Sequence, residues 1–318
     1  MTFEQFQTKY GARVVENEPM SKHTTFRLGG PAKFFFEART SEELVDAVRA
    51  ARESNLKFAI LGGGCNSLFL DAGFDGLVIV AANRKFSIVG SEVTAEAGVL
   101  MTALAREVAD RGLTGFEWAA TLPGTLGGAI RGNAGCFGGE TKDFLISVKV
   151  YRDGKIIELS NADCRFGYRD SAFKHNSDLL LEATFEFETA DPATVKTKIA
   201  ELLEKRKTSQ PLGTGSAGCM FKNFEWSEVS AIRKLQNDRE VPKQFLEQRR
   251  IPAGWLIEQA ELKGFCVGDA CVSGVHGNFL LNKSGATADQ ILQLVAAVKT
   301  RIRDRFGILL EEEVQLFS

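Results

Sequence analysis

The sequence predicts a protein of mixed α-helices and β-strands with two or three domains. Its 318 residues exceed the size of a single typical domain. Helical and strand-like periodicities alternate along the chain, and glycine-rich turns join several strand-like segments directly to one another. Hydrophobic residues form 44% and charged residues 25% of the chain, which is ordinary for a globular protein with a sizeable core.

The N-terminal part begins with a β-α-β pattern. Residues 34–38, FFFEA, predict the first strand, and residues 41–54 predict a helix. Thr40 and Glu43 have the spacing of a capping box, with Thr40 as the N-cap. On either side of a glycine-rich loop, the pattern continues with strands at 58–61 and 77–81.

The middle and C-terminal parts continue this alternation. Residues 208–216, TSQPLGTGS, are rich in turn-forming residues and predict a domain boundary. Strands are predicted within 84–100, at 145–152, 178–187 and 278–282, and in the C-terminal stretch ILLEEEVQLF (308–317). Helices are predicted at 101–112, 191–207, 253–261 and 287–305.

Charge and cysteine content restrict the class of protein. The net charge of −2 predicts no surface for nucleic acid or membrane, and the N-terminus lacks the apolar region of a signal peptide. None of the six cysteines stands in a C-x-x-C pair, so we expect a cytosolic protein with reduced thiols. The three histidines are scattered, and we expect no metal site.

The loop LGGGCNSLFLD (61–71) is the first candidate binding site. Glycine lets the backbone approach a ligand closely, and successive N–H groups favour an anion such as phosphate. The loop lacks the third glycine and the following helix of a dinucleotide fingerprint, and the chain has no Gly-Lys-Ser/Thr triplet. A plain glycine turn explains this stretch equally well.

A second glycine tract, TLPGTLGGAIRGNAGCFGG (121–139), is the stronger signal. Pro123 and Gly124 predict a turn, which is followed by Thr125 and an apolar helix start. Glycine-rich backbone at a helix N-terminus again favours an anion. Two such loops suggest one extended diphosphate cofactor, and a tightly packed glycine turn is the alternative.

Three further motifs carry ionisable candidates. Arg169 lies among aromatic residues in FGYRDSAFK (166–174), where a guanidinium grips a carboxylate or forms a surface ion pair. Cys219 lies among small residues in GSAGCMFKN (215–223). This setting suits either an accessible thiol that donates a proton or a buried structural thiol. In an alternating terminal strand, Glu311 and Glu313 would share one face; a solvated charge run is the alternative.

The order of these motifs resembles the UDP-N-acetylenolpyruvoylglucosamine reductase family, the MurB flavoenzymes of peptidoglycan precursor synthesis. The resemblance runs from about residue 21 to the C-terminus. Its motifs are TTFRLGGPA, LGGGCNSL, LPGTLGGAIRGNAG, YRDSAFK, SAGCMFKN, AGWLIEQ, HGNF and LEEEV. No single motif is decisive, but their ordered combination is highly specific.

The resemblance implies an α+β fold: a two-domain FAD-binding unit of the vanillyl-alcohol-oxidase (PCMH) type plus an α/β substrate-binding domain. The implied divisions are 1–82 with the returning strand 306–318, 83–207, and 208–305. The first glycine loop and the second tract would both hold FAD. The implied cofactor residues are Gly62, Gly63, Gly64, Cys65, Asn66, Ser67, Pro123, Gly124, Thr125, Gly127, Gly128, Asn133 and Ala134.

The resemblance also implies the reaction. NADPH would reduce FAD, and UDP-N-acetylglucosamine enolpyruvate would take a hydride to become UDP-N-acetylmuramate. Arg169 and Glu313 match the residues that stabilise the enolate, and Cys219 matches the family's general acid. Lys207, Asn223 and Gln259 match segments that contact the substrate. We expect a cytoplasmic monomer.

Three departures from the family pattern stand out. Cys219 replaces the commoner serine, and a thiol with a pKa of about 8.5 is a far stronger acid than an alcohol. FKNF replaces FKNP, which puts Phe224 in the turn. No tyrosine lies between Arg169 and Cys219, so the chain resembles the form without the tyrosine-bearing insert.

Two rival functions differ in testable ways. Another flavoprotein of the same fold, such as an oxidase of sugars or hydroxy acids, would share the glycine loops but not the set Arg169, Cys219 and Glu313. A nucleotide-sugar binding protein without flavin would not need both glycine tracts intact.

Overall fold

The computed structural model describes all residues from Met1 to Ser318. It divides into a first unit, comprising Met1–Glu18, Ala32–Gly63 and Asp75–Thr208, and a second unit, comprising Pro19–Pro31, Gly64–Phe74 and Ser209–Ser318. The helices are α1 Phe3–Tyr10, α2 Ser41–Glu53, α3 Met101–Asp110, α4 Leu126–Arg131, α5 Pro192–Ser209, α6 Arg233–Asp238, α7 Lys243–Gln248, α8 Ala253–Gln259 and α9 Ala288–Phe306. None is both long and apolar enough to cross a bilayer.

Twenty strands accompany the helices, and several of them contain only two residues. The strands that precede α4 are β1 Val14–Pro19, β2 Pro31–Ala38, β3 Phe58–Leu61, β4 Ser67–Phe69, β5 Phe74–Ala81, β6 Phe86–Val89, β7 Glu92–Glu96 and β8 Leu113–Thr114. The others are β9 Gly135–Cys136, β10 Gly139–Glu140, β11 Leu145–Arg152, β12 Lys155–Ser160, β13 Leu179–Glu186, β14 Glu188–Thr189, β15 Phe224–Glu225, β16 Arg250–Ile251, β17 Cys266–Val267, β18 Ala270–Val272, β19 Leu280–Asn282 and β20 Gln315–Phe317.

A four-stranded sheet in the order β1-β2-β5-β3 opens the first unit, with β3 and β5 parallel. The helix between β2 and β3 is α2, which begins where Thr40 Oγ1 accepts a hydrogen bond from Glu43 N at 3.2 Å. The Glu43 carboxylate accepts from Arg39 N and pairs with Arg13, so the predicted N-cap is confirmed without the reciprocal half of the box. Phe6, Phe36, Leu44 and Ile79 are fully buried in the core beside this sheet.

A five-stranded antiparallel sheet in the order β12-β11-β13-β7-β6 forms the rest of the first unit. Strand β13 (Leu179–Glu186) alternates between buried and less buried side chains, because one face of the sheet covers a core. Helices α3, α4 and α5 contribute Leu104, Leu126 and Ile199 to that core. The strands predicted within 84–100 and at 145–152 and 178–187 are confirmed.

The second unit is built around α9, whose N-cap Thr287 forms a complete capping box with Gln290. A three-stranded antiparallel sheet β17-β18-β19 accompanies it, and β20 pairs in parallel with β4. Phe26, Leu28 and Leu68, which precede the C-terminal part by far in the chain, are buried in the same core as Leu256 and Ile302. The second unit therefore depends on two segments from the N-terminal quarter of the chain.

The structure corrects two predictions. The C-terminal strand is confined to Gln315–Phe317, and only Glu312 of the glutamate triplet makes a bridge, with Phe221. Cys266 and Cys271 form a disulfide, so the expectation that all thiols are reduced is wrong for this pair. Antiparallel pairing of β17 with β18 sets the two cysteines directly opposite each other. A search for the C-x-x-C motif cannot find such a pair, because the two cysteines are five residues apart.

Candidate active site

The two glycine tracts meet in the first unit, where Gly62 approaches Thr125. A Cβ placed on Gly62 would lie 2.2 Å from Thr125 Oγ1, so a larger residue at position 62 would force Thr125 or the loop to shift. Gly62 and Gly63 follow β3 directly, and Thr125 precedes α4. The predicted cofactor residues Gly62, Gly63, Pro123, Gly124, Thr125, Gly127 and Gly128 therefore belong to one region of the first unit.

The start of α4 is already tied to the protein by two backbone hydrogen bonds. Leu126 N donates to Val99 O and Gly127 N donates to Ala97 O, both at 2.8 Å. A Cβ on Gly127 would lie 3.0 Å from Ala97 Cβ, which explains the glycine by close packing. These two N–H groups are committed to the protein, so an anion here would use other donors of the tract, such as those of the turn at Gly124 (φ +114°).

Asn133 and Ala134 lie on the part of the second tract that supports the Arg169 loop. Asn133 is fully buried with a φ of +39°. Its Nδ2 donates to Glu140 Oε2 and to Gly167 O, each at 2.9 Å, and its Oδ1 accepts from Lys142 N at 3.2 Å. Both amide hydrogens are thus used within the protein, which is the arrangement of a loop-bracing side chain.

Arg169 occupies a two-residue turn between Gly167 and Asp170, which exchange hydrogen bonds in both directions. Its φ of +53° is a left-handed conformation that non-glycine residues seldom adopt, so the surrounding contacts must hold it. The guanidinium Nη2 donates to Gly135 O at 2.7 Å, and Lys174 Nζ donates to Arg169 O. The second tract and the Arg169 turn therefore form one hydrogen-bonded assembly.

Ser171 and Arg131 strengthen that assembly, and sequence reasoning passed over both. Ser171 is 1% exposed, and its Oγ donates to Arg131 O at 2.8 Å. Burial lowers the pKa of the Arg131 guanidinium, and the nearby Asp170 carboxylate opposes that shift. Ser171 follows Arg169 by two residues in the YRDS motif, so the motif itself was the available signal.

Cys219 and Glu313 lie close together in the second unit. Cys219 forms an antiparallel bridge with Phe279; its side chain is partly buried and takes no part in a disulfide. Glu313 N donates to Met220 O at 2.8 Å. The candidate acid and the candidate glutamate therefore stand on neighbouring segments, although about 90 residues of sequence separate them.

The glutamate triplet divides by ion pairing rather than by strand alternation. Glu311 is exposed and pairs with Lys222 at 3.3 Å, and Glu312 is exposed and pairs with Lys299 at 2.8 Å. Glu313 is half-buried, and its backbone carbonyl accepts from Asn66 Nδ2 at 3.0 Å. Of the three, Glu313 is the least exposed.

The rest of the first glycine loop belongs to the second unit. Gly64, with a φ of +63°, packs on His23: a Cβ there would lie 2.0 Å from His23 O. Cys65 is partly buried and Ser67 begins β4. Asn66 holds Glu313 O through its side chain and Gln315 N through its carbonyl, a bracing role that the motif alone did not indicate.

The three predicted substrate residues have different settings. Lys207 is exposed in the last turn of α5 and pairs with Glu204. Asn223 Oδ1 accepts from Ala253 N at 3.2 Å, which ties the Cys219 segment to the start of α8. Gln259 is the partly buried last residue of α8, and Phe224 pairs with Ile251 in a short ladder.

Two known protein families match this chain, one in its N-terminal half and one in its C-terminal third. Residues 32–160 match an FAD binding domain, and residues 210–317 match the C-terminal domain of UDP-N-acetylenolpyruvoylglucosamine reductase. Two similar proteins, both named UDP-N-acetylenolpyruvoylglucosamine reductase, come from Clostridioides difficile (strain 630) and Carboxydothermus hydrogenoformans. The first is 36% identical over 95% of this chain and 92% of its own length. The second is 36% identical over 99% of this chain and 97% of its own.

A solved structure resembles the chain over nearly its whole length. It is the crystal structure of UDP-N-acetylenolpyruvylglucosamine reductase (MurB) from Thermus caldophilus, with a TM-score of 0.75 and 31% sequence identity. The match covers 96% of this chain and 99% of that one. With the FAD binding domain match, it confirms the predicted α+β fold class with its flavin-binding unit. The three-domain division stays a prediction.

Proposed function

The chain belongs to the UDP-N-acetylenolpyruvoylglucosamine reductase family, and from that premise we infer its reaction. It reduces UDP-N-acetylglucosamine enolpyruvate to UDP-N-acetylmuramate with NADPH, through FAD, in peptidoglycan precursor synthesis. The observation that carries this inference is full-length similarity to these reductases at 36% identity. The adjacency of Cys219 and Glu313 in the second unit supports it independently.

The residues present fit a diphosphate-containing cofactor. A Cβ on Gly62 would lie 2.2 Å from Thr125 Oγ1, so the two glycine-rich tracts come close together there. Backbone N–H groups of glycine-rich loops can line a concave site that suits a diphosphate. FAD held by these two tracts would supply the redox chemistry between NADPH and the enolpyruvyl double bond.

Arg169 is proposed to bind the carboxylate of the enolpyruvyl group. Negative charge spreads into that carboxylate during reduction, and a preorganised cation stabilises it most strongly when its position is already set. The left-handed turn, the Lys174 contact and the Gly135 contact supply that preorganisation.

Cys219 is proposed as the general acid and Glu313 as a second group on the developing enolate. Hydride arrives at the methylene carbon, so the adjacent carbon takes a proton, which the thiol S–H supplies. The Cys219 thiolate left behind is reprotonated from solvent before the next turnover. Glu313 donates a hydrogen bond to the enolate only in its protonated form, because an ionised carboxylate has no donor.

Substrate contacts are proposed for Lys207, Asn223 and Gln259 on the basis of the family match. Asn223 is the best supported of the three, because it follows Cys219 by four residues and is itself fixed to α8. A cytoplasmic location and a monomeric state are proposed on the same basis.

The visible spectrum of the purified protein, followed without oxygen, tests the reaction. We expect a yellow protein that bleaches on addition of NADPH and recolours when UDP-N-acetylglucosamine enolpyruvate is added. A yellow protein that bleaches but does not recolour with this substrate would indicate another flavoenzyme of the same fold. A protein that binds no FAD would contradict the assignment of both glycine tracts.

A further inference from the structure

Asn278 is a buried polar residue with no role in the reaction proposed above. It lies in the HGNF motif, is 2% exposed, and directs its side chain at the segment that carries Cys219. Its Oδ1 accepts from Phe221 N at 2.9 Å, and its Nδ2 donates to Phe221 O at 2.8 Å. Its own carbonyl accepts from Met220 N at 2.8 Å.

Two of these three hydrogen bonds involve the Asn278 side chain, which thereby acts as a strand partner of Phe221. Regular pairing would place a backbone opposite Phe221, but the chain turns between His276 and Phe279, where Phe279 N donates to His276 O. The Asn278 amide, which has one acceptor and two donor hydrogens, replaces the missing backbone groups. On the other side of the segment, Phe221 bridges Glu312 and Met220 O accepts from Glu313 N.

Asn278 is itself held in place. Its N–H donates to His276 Nδ1 at 3.2 Å, which requires that nitrogen of the imidazole to be unprotonated. Val275 N and His276 N both donate to Ser273 Oγ, a side-chain oxygen of a residue that is 1% exposed. The turn thus presents the Asn278 amide in one orientation, and the adjacent residue Phe279 bridges Cys219 directly.

We propose that Asn278 is a positioning residue, which sets the Cys219 thiol for proton transfer by fixing the backbone of Met220 and Phe221. The inference rests on the proposed role of Cys219 as the acid. Without Asn278, both backbone polar groups of Phe221 lose their partners in a buried setting, and the segment must shift to reach water or new partners. Donor misplacement of the order of an ångström slows proton transfer by roughly 10- to 100-fold.

The test compares Asn278→Ala with Asn161→Ala as a matched control. Asn161 also uses its amide to hold backbone carbonyls, those of Lys142 and Leu145, but it lies in the first unit outside the proposed site. Two rates are measured for each protein: bleaching by NADPH, and recolouring by the enolpyruvyl substrate. In Asn278→Ala we expect bleaching within about twofold of the parent and recolouring slower by about 10-fold or more.

Asn278→Asp supplies a signature that general destabilisation does not. An ionised carboxylate cannot donate to Phe221 O, but a protonated one can, so recolouring in this variant should recover as the pH falls. The bleaching rate should not follow that pH profile. This variant also keeps the question answerable if Asn278→Ala fails to fold.

Alkylation of Cys219 by iodoacetamide, followed by peptide mass spectrometry, reports on the thiol without turnover. A displaced thiol should react at a rate changed by about threefold or more in Asn278→Ala and unchanged in Asn161→Ala. Unchanged alkylation with unchanged recolouring in Asn278→Ala would overturn the proposal, as would equal loss of both half-reactions. If the parent protein never recolours, the proposed function fails, and alkylation alone decides whether Asn278 positions Cys219.

Discussion

At the scale of single residues, the main question is Cys219, a thiol at the position where the family resemblance implies a serine. An unperturbed thiol has a pKa of about 8.5, so it donates a proton readily at neutral pH but is lost as a donor above that range. A serine keeps its proton at any pH of interest. With Cys219 as the proposed acid, we expect the side chain at this position to set the alkaline limit of the reaction.

Cys219→Ser is expected to keep activity and to extend it to higher pH. Recolouring by the enolpyruvyl substrate should fall in the parent as the pH rises through the thiol pKa and stay level in the variant. Stopped-flow measurement of recolouring from about pH 6 to pH 10 checks this, since the range spans the pKa of an unperturbed thiol, about 8.5. Identical pH profiles would count against the thiol as donor.

Cys219→Ala provides the companion control. It should bleach normally with NADPH and recolour about 100-fold more slowly, within the usual worth of a general acid. Full turnover in this variant would remove Cys219 from the mechanism.

At the scale of elements, the glycine tracts show how a neighbouring loop can restrict which residue fits in a turn. Gly62 follows a four-residue strand and meets Thr125 of a tract about 60 residues later in the chain. Position 62 is a glycine because the second tract occupies the space that a side chain would need. The second tract is also bonded to the segment around Arg169. Asn133 Nδ2 donates to Gly167 O, and Ser171 Oγ donates to Arg131 O.

Gly62→Ala is expected to weaken FAD binding by about 10-fold or more, since steric displacement of a preorganised loop costs at least one factor of ten. The new Cβ would lie 2.2 Å from Thr125 Oγ1, so the Thr125 side chain or one of the two tracts must shift. Fluorescence titration of FAD into the apoprotein measures the change in Kd. Gly274→Ala, where a Cβ would meet no atom within 4 Å, is the control and should bind FAD as the parent does. Equal affinities for the Gly62→Ala variant and the parent would contradict the convergence of the tracts on the cofactor.

A second element-scale feature is the buried carboxylate of Glu117, which joins β8 to α5. Burial opposes its ionisation, but hydrogen bonds from Thr114 Oγ1 at 2.6 Å and Gly115 N at 3.0 Å, with Lys198 at 3.5 Å, lower the pKa of Glu117 overall. Because its folded pKa is depressed, this group stabilises the fold above its unfolded pKa. That contribution is lost as the pH falls through the folded pKa.

Glu117→Gln should therefore lower the free energy of unfolding by about 1–3 kcal/mol at pH 7, because one acceptor becomes a donor that faces a donor. The difference from the parent should shrink as the pH falls below about 4, near the unfolded carboxyl pKa. Urea denaturation at several pH values measures it, with the exposed Glu201→Gln as control. A pH-independent difference would show that charge plays no part.

At the scale of the whole molecule, each unit is assembled from three separate stretches of chain. The second unit takes Pro19–Pro31 and Gly64–Phe74 in addition to its C-terminal part. Strand β20 has β4 as its partner, and Phe69 stacks on Phe317 with ring centroids 4.6 Å apart. Asp71 accepts from Ala288 N and Asp289 N at the start of α9.

The fragment 209–318 expressed alone is therefore expected not to fold cooperatively. It lacks Phe26, Leu28 and Leu68 of its core, the partner of β20, and the Asp71 contacts to α9. Circular dichroism during heating checks this, with the full chain as reference. A sharp transition in the fragment would show that its own residues suffice.

The sequence by itself determined the local elements, the family, and the identity of the candidate chemical groups. Period-2 and period-3.6 patterns, a Thr40 cap and glycine turns are short-range signals, and they predicted the sheets and helices of the first unit. Ordered motifs identified Arg169, Cys219 and Glu313 through resemblance. These features depend on residues within a few positions of one another, or on order alone.

Only the tertiary structure decided which distant groups meet. Periodicity could not show that Asn278 serves Phe221 as a strand partner, that Asn66 holds Glu313, or that Cys266 faces Cys271. It also extended the C-terminal strand over the glutamate triplet, where the structure has only the Glu312–Phe221 bridge and the strand itself is Gln315–Phe317. The physical reason is that such contacts depend on strand pairing and turns across as many as about 250 residues, which no local pattern encodes.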